Sequence, residues 1–285
     1  MAVGYQVSDA HIIDYEIHEL AGVDGGFRGP PVSSDEYVVC LGGAQTFGRF
    51  VQTPFPRLLS HSLRIEALNL GRGGVGPSFY LNSPRLLQYT NRARMVIFQV
   101  LSGRSQSNSL FRITGSGMRG MNLANGREMS APEFYTWLMG RDSQLVRMIV
   151  EETRENYLSA MRQLLDAITP PKVLLWLSVR GPNYEECLQL PLGRLWGEFP
   201  HFVNQVMVDE MRSRADVYVE CVSRRGLPQP IFDRIGSPTS FQGFSLSPSE
   251  GVMKTSNRYY PSPEMHEDAA ELLLPVCRKI LGISK

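Results

Sequence analysis

The feature that most limits this chain is a series of five apolar, β-branched-rich runs separated by helical patterns. The runs are Glu36–Leu41, Ile65–Leu70, Met95–Leu101, Val173–Val179 and Val217–Val222. Such runs, without polar alternation, suit strands buried on both faces of a parallel sheet. Helical patterns cover Phe55–Leu63, Pro84–Arg94, Asp142–Ile168 and Phe202–Arg214, and a last helix is expected over His266–Leu281. In the third of these Asp142 is placed as N-cap, apolar residues recur at Leu145, Ile149, Leu158, Met161 and Leu165, and Pro170-Pro171 stops the helix. This alternation predicts a three-layer α/β domain, a doubly wound, flavodoxin-like parallel sheet of five strands with right-handed crossovers.

The remaining segments arrange themselves around that core. Residues 1–35 read as an irregular arm ending in the turn-rich Asp24-Gly25-Gly26-Phe27-Arg28-Gly29-Pro30-Pro31, and residues 36–285 as one domain. Residues 105–140 read as an insertion, with Asn125-Gly126 as a turn and Ser130-x-x-Glu133 as a capping box. Residues 225–262 are rich in Pro, Ser and Gly and read as a long ordered surface loop. A chain of 285 residues can bury a sizeable core in this form.

Charge and cysteine usage narrow the function classes. With 29 basic and 28 acidic side chains, recognition of an anion must come from local clustering. No RNA-recognition or helix-turn-helix signature is present, so no nucleic-acid partner is expected. Cys40, Cys187, Cys221 and Cys277 are far apart and lack metal-ligand spacing; Cys40 and Cys221 sit in strand-like runs as small buried hydrophobes. No metal and no cofactor are expected: the glycines of Gly71–Gly76 do not meet G-x-G-x-x-G, and a Walker lysine is missing. The N-terminal stretch carries acids and no apolar core, and no apolar run approaches the roughly 20 residues of a membrane span, so the expected location is the cytoplasm. No feature sets an oligomeric state.

In a parallel sheet of this kind, ligands bind beyond the carboxyl ends of the strands. The first strand runs into Gly42-Gly43-Ala44-Gln45-Thr46-Phe47-Gly48-Arg49, and the second into Asn69-Leu70-Gly71-Arg72-Gly73-Gly74. The third runs into Ser102-Gly103-Arg104-Ser105-Gln106-Ser107-Asn108, and Pro263-Glu264-Met265-His266 opens the last helix. In order and spacing these blocks resemble the SGNH (GDSL-type) hydrolases. The resemblance spans roughly residues 36–281 and implies a crevice built from the loops after the first three strands and the loop before the last helix. It implies Ala44 at the nucleophile position, Gly74 as an oxyanion-hole amide and His266 as the base. Glu264 is then the acid, displaced by one residue because Pro263 holds the usual place. For the oxyanion side chain, either Asn108 swings in or Arg104 supplies positive charge.

A methyl group cannot attack an ester, and loss of a triad nucleophile removes about a million-fold in turnover. Either the alanine replaces a serine in an otherwise competent site, or the branch has abandoned serine chemistry. Three departures together, at Ala44, Pro263 and the third block, favour the second.

A further pattern is independent of the resemblance. Arginine follows each expected strand at Arg49, Arg72, Arg104, Arg180 and Arg224-Arg225, and Arg28 lies on the arm. Convergence on one rim predicts an anion site, with Arg49, Arg72 and Arg104 foremost and Gln45, Ser105 and Arg28 beside them. Pairing with Glu185, Glu186 or Glu220 is the competing use. The expected partner is an anionic or acylated small molecule or saccharide, handled as in an esterase or acyltransferase with an altered or disabled nucleophile. The alternatives are a sulfotransferase-like group transferase with a phosphate-bearing donor, in which Gly42–Arg49 cradles phosphate, and a non-catalytic binding protein.

Overall fold

The computed structural model describes residues 4–114, 119–184, 197–242 and 253–283. Eight strands and eight helices position the site: β1 (Tyr37–Leu41), α1 (Ala44–Phe47), α2 (Phe55–Leu63), β2 (Glu66–Asn69), α3 (Pro77–Leu81), α4 (Pro84–Arg92), β3 (Val96–Gln99), β4 (Phe111–Thr114), β5 (Arg119–Asn122), β6 (Arg127–Ser130), α5 (Ala131–Met139), α6 (Ser143–Ala167), β7 (Lys172–Ser178), α7 (Gln205–Arg212), β8 (Val217–Val222) and α8 (Pro263–Leu281). The main sheet has the order β8-β7-β3-β1-β2. Every neighbouring pair is parallel, with Val39 opposite both Leu68 and Val96, and Leu175 opposite both Gln99 and Val219. This is the doubly wound order in which the chain reverses direction across the sheet between β1 and β3.

Both faces of the three central strands β7, β3 and β1 are dry, which is why they read as continuous apolar runs. Val38, Cys40, Ile97, Val173 and Leu175 pack against Phe55 and Leu59 of α2 and Ala269, Leu273 and Cys277 of α8. Val39, Leu41, Phe98, Leu174 and Trp176 face Leu86 of α4, Tyr157, Met161 and Leu164 of α6, and Met207 and Met211 of α7. Each fully buried Val, Leu, Ile or Phe contributes about 1.5–3 kcal/mol relative to exposure, so the two layers dominate the stability of the domain. Cys40, Cys221 and Cys277 are free thiols buried in the first of these layers; Cys187 lies outside the described residues.

Local chemistry sets the ends of the helices. Asp142 caps α6, accepting from the amides of Gln144 and Leu145 at 2.9 and 3.1 Å. Ser130 and Glu133 form the reciprocal capping box of α5. The last helix starts at Pro263, three residues before the expected His266, because Ser262 accepts from the Met265 amide and Pro263 fits the first turn. Likewise α7 begins after Asn204, whose side chain caps the Met207 amide, not at Phe202.

Outside the sheet, β4, β5 and β6 form an antiparallel meander. With α5 and the start of α6 it encloses a core of Phe111, Phe134, Tyr135, Leu138, Ile149 and Phe202. The segment expected as a long loop carries two short antiparallel pairs, Gln229–Pro230 with Ser256–Asn257 and Phe241–Gln242 with Met253–Lys254. The N-terminal arm is tied into the fold. It holds a short helix, Gly4–Ser8, a two-residue ladder between His18–Glu19 and Gly26–Phe27, and the buried residues Asp9, Tyr15, Phe27 and Arg28.

Candidate functional site

The loop after β1 is braced from every side. Gly42 has no room for a side chain, since a Cβ would meet the hydroxyl of Thr46. Gln99, fully buried at the end of β3, accepts from the Gly43 amide at 3.0 Å and from the Thr46 hydroxyl at 3.3 Å. The Tyr80 hydroxyl lies 2.6 Å from the Gly42 carbonyl and 2.8 Å from that of Leu70. Asn69 reaches across from β2: its amide donates to the Thr46 carbonyl at 3.0 Å and its oxygen accepts from the Gly71 amide at 2.9 Å. Polar side chains at the strand ends are therefore spent on fixing Ala44 at the first position of α1.

Beyond Ala44 a cleft of about 130 Å3 opens. Gly43, Ala44 and Gln45 form one wall, Gly74 and Val75 a second, and Leu101, Ser102, Arg104 and Ser105 a third. Tyr5 of the arm, Tyr259 and Tyr260 before α8, and Ser130, Ala131, Pro132 and Phe199 complete it. Gly74 has a φ of +78°, a backbone conformation that favours glycine at this wall. Gln45 is buried, and its Oε1 has no hydrogen-bond partner. A second, more polar cavity of about 400 Å3 shares Ser105 with the cleft and is lined by Ser78, Asn82, Gln106 and Ser107 among others.

Ser102 and Arg104 of the cleft meet a residue that sequence reasoning missed and that does not itself line the cleft. His201 is buried, with Nδ1 3.1 Å from the Ser102 hydroxyl and Nε2 3.3 Å from Nη1 of Arg104. Its ring stacks on Tyr259 at 6.0 Å with 19° between planes, and Nη2 of Arg104 lies 3.5 Å from the Tyr259 hydroxyl. Burial, together with the charges of Arg104 and Arg180, holds His201 well below the ordinary histidine range. The imidazole is therefore neutral at pH 7.

The expected site residues separate into two groups. Ala44, Gln45, Gly74, Arg104 and Ser105 share the cleft; His266, Glu264, Asn108, Arg28, Arg49 and Arg72 are not among its lining residues. His266 sits in the core on the first turn of α8, fully buried, stacked on Phe55, with Nδ1 accepting from the Phe55 amide at 3.1 Å. Burial, with Arg28 nearby, pushes it down to about 3. Glu264 leans toward Gly226, and neither its Oε2 nor Nε2 of His266 has a hydrogen-bond partner, so these two do not make an acid–base pair. Asn108 is buried in an Asx-type turn, accepting from the amides of Leu110 and Phe111 and donating to Thr153 at 3.0 Å. All of its bonding capacity is used away from the cleft.

The expected convergence of arginines does not occur. Arg49 is clamped by the fully buried Asp9 through two bonds of 2.8 Å and donates to the Tyr260 hydroxyl at 3.0 Å. Burial favours its neutral form, but the bonds to Asp9 outweigh this and raise its pKa. Arg28 donates to the carbonyls of Phe47, Gly48, Val51 and Gln52, fastening the turn after α1. Arg72 lies over the Phe79 ring and reaches the Asp24 carbonyl. Arg180 donates to the carbonyls of Glu198, Gly181, Pro200 and Val203. Arg224 pairs with Glu198, and Arg225 with Asp268 and Glu267. A phosphate cradle built on Gly42–Arg49 thus lacks its arginine, which belongs to Asp9. Glu185 and Glu186 lie outside the described residues. Among the described residues no helix is long and apolar enough to cross a membrane, and no cluster of three or more His, Cys, Asp or Glu is suited to a metal.

A family model described as a domain of unknown function (DUF6473) matches residues 1–115 and 134–281, and the chain belongs to that family. No curated protein matches the chain. Among solved structures it is similar to a carbohydrate acetylesterase family member from Sinorhizobium meliloti, at 11% identity and a TM-score of 0.44, covering 87% of this chain and 99% of that one. It is similar to a family two carbohydrate esterase from Cellvibrio japonicus, at 13% identity and a TM-score of 0.37, covering 90% of this chain and 65% of that one. It is also similar to a putative SGNH hydrolase from Slackia heliotrinireducens, at 13% identity and a TM-score of 0.36, covering 85% of this chain and 98% of that one.

Proposed function

We propose that this member of the DUF6473 family is an SGNH-like protein that holds an acylated or anionic saccharide in the cleft beside Ala44, without serine chemistry at that position. The observation that carries this reading is the composition of the cleft. Tyr5, Tyr259 and Tyr260 offer aromatic surface, and the buried, unpartnered Oε1 of Gln45 offers an acceptor for a hydroxyl. A mostly apolar concavity with a few placed polar groups is the usual form of a small-ligand site. Sugar rings have C–H faces that lie on aromatic rings and hydroxyls at their rims.

The position of Ala44 supports the second half of the reading. Nucleophilic catalysis needs an activated oxygen within hydrogen-bond reach of a base. Residue 44 has a methyl group, and the histidine expected to serve it is bonded to a backbone amide inside the core. Two measurements test the proposal. Calorimetry against O-acetylated and acidic oligosaccharides is expected to show binding that Tyr259→Ala weakens; no binding to any saccharide in the panel overturns the reading. Ala44→Ser is expected to leave hydrolysis of short-chain aryl esters near background. Robust hydrolysis by Ala44→Ser that His266→Ala abolishes overturns the claim that serine chemistry has been abandoned.

A further inference from the structure

The two loops that wall the cleft run on to line the larger cavity, of about 400 Å3 against about 130 Å3 for the cleft. After β2 the chain passes from Gly74 and Val75 in the cleft to Gly76 and Ser78 in the cavity. After β3 it passes from Ser102 in the cleft to Gln106 and Ser107 in the cavity. Ser105 belongs to both spaces, and the loops touch there: a Cβ on Gly76 would stand 2.1 Å from the Ser105 carbonyl oxygen. Polar groups around the cavity are unspent. Ser83 stands at the N-cap of α4 but makes no capping bond. Ser105 is 7% exposed, and among the described residues its hydroxyl has no hydrogen-bond partner. The same holds for the Asn82 side-chain amide and for Nε2 of Gln106, whose Oε1 accepts from the Ser78 hydroxyl at 3.4 Å. Among the described residues no charged side chain lines this cavity, and Phe79 and Ile113 give it apolar surface.

We infer that the larger cavity is a second saccharide site, seating an uncharged sugar unit linked to the one held beside Ala44, so that the ligand is a disaccharide or longer. Serine hydroxyls and the amides of Asn82 and Gln106 both donate and accept, as sugar hydroxyls do. A carboxylate or phosphate placed here would be desolvated with no cation among the lining residues to offset the cost. A neutral polyol meets no such penalty, and Phe79 and Ile113 suit the C–H groups of its ring. The Ser105 hydroxyl, buried at the junction, is placed to bond the ligand where it passes from one space to the other. The inference rests on the saccharide reading of the cleft, and adds to it the length of the ligand and the neutrality of its second unit.

Two measurements on the full chain test this, with O-acetylated methyl xyloside and O-acetylated methyl xylobioside as probes. By calorimetry the disaccharide is expected to bind about tenfold or more tightly, the gain from two or three further neutral hydrogen bonds. Asn82→Trp, which fills the cavity from its exposed rim, and Gln106→Leu are each expected to cut that ratio to about twofold or less. Both variants should leave the monosaccharide affinity unchanged. In the wild type with 13C-labelled isoleucine methyls, the Ile113 signal, assigned by its loss in Ile113→Leu, is expected to show contacts to the second sugar ring and none to the monosaccharide. Equal affinity for the two sugars, or no contact at Ile113, overturns the second site and leaves the cleft reading standing. A tenfold ratio that survives both variants also overturns it, by placing the second unit elsewhere. Failure of both probes to bind overturns the inference, and silence from the whole saccharide panel overturns the cleft reading with it.

Discussion

Removing the charge of Asp9 should be among the most damaging single changes available in this protein. Asp9 is fully buried and Arg49 is 6% exposed, 40 positions away in sequence. Two bonds of 2.8 Å join them, and the Tyr15 and Ser8 hydroxyls donate to the same carboxylate at 2.9 and 2.8 Å. The guanidinium is also ringed by Tyr5, Phe50 and Tyr260, at 4.4, 4.5 and 5.1 Å from their centroids. Asp9→Asn keeps the shape and removes the charge, leaving an uncompensated cation in a dry setting. Breaking one side of such a pair costs about 3–5 kcal/mol. Against a total stability of about 5–15 kcal/mol that is a large fraction, and for a chain of this size it lowers the Tm by roughly 10 °C. Urea unfolding followed by intrinsic fluorescence gives the loss directly, and it should change little with added salt because the pair is shielded from solvent. Asp9→Leu combined with Arg49→Met should recover most of it, since replacing both partners with apolar groups removes the orphaned charge. The reasoning fails if Asp9→Asn costs less than about 1 kcal/mol, or if the double variant loses as much as the two single variants added together.

Further outcomes follow from other residues. His266 is neutral in the fold, with its pKa lowered to about 3 by burial and by Arg28, against an ordinary 6.5. Its contribution is therefore present above about pH 6.5 and is lost as pH falls toward 3, about 2 kcal/mol of it between pH 6.5 and 4.5. His266→Asn, which retains an acceptor for the Phe55 amide, should flatten that slope in pH-dependent urea melts; an unchanged slope refutes the assignment. Asn108→Ala should cost about 1–3 kcal/mol, by removing the side-chain bonds to the Leu110 and Phe111 amides and to Thr153, while saccharide affinity by calorimetry stays within twofold. A large loss of affinity at unchanged stability would return Asn108 to the site. Arg28→Met should destabilise the turn after α1, read as faster amide exchange from Phe47 to Gln52, because four carbonyls lose their donor. Exchange as slow as in the wild type would make those bonds incidental.

Much of the fold was legible because it is written in local patterns. The five apolar runs became the five parallel strands, and Asp142 and Ser130-x-x-Glu133 cap helices as their spacing requires. The site was harder to read, for identifiable reasons. His266 drew attention through its order among sequence blocks, yet His266, Ala269, Leu273 and Cys277 recur at helical spacing and are all buried. Read as periodicity, the same residues place the histidine on the core face of α8. The buried role of the arm depends on Asp9 meeting Arg49 across 40 residues, and no local pattern encodes that. His201 lies in Phe199-Pro200-His201-Phe202, a connection without period. It reaches Ser102 and Arg104 behind the cleft wall, where its carbonyl accepts from the Gly103 amide at 2.9 Å beside the end of β3.

The arginines show most clearly why chain order alone misjudges a ligand site. A strand end in a doubly wound sheet points toward the crevice, but it also leaves carbonyls and loop turns that need donors. Arg28 and Arg180 meet that need with four backbone bonds each. Arg49 is committed to the charge that fastens the arm, and that bond in turn holds the arm where Tyr5 walls the cleft. Gln45, in contrast, lines the cleft with an Oε1 that has no hydrogen-bond partner. The turn after β1 presents a methyl group, that of Ala44, to the cleft. Serine-type chemistry at that position has no side-chain oxygen from which to begin.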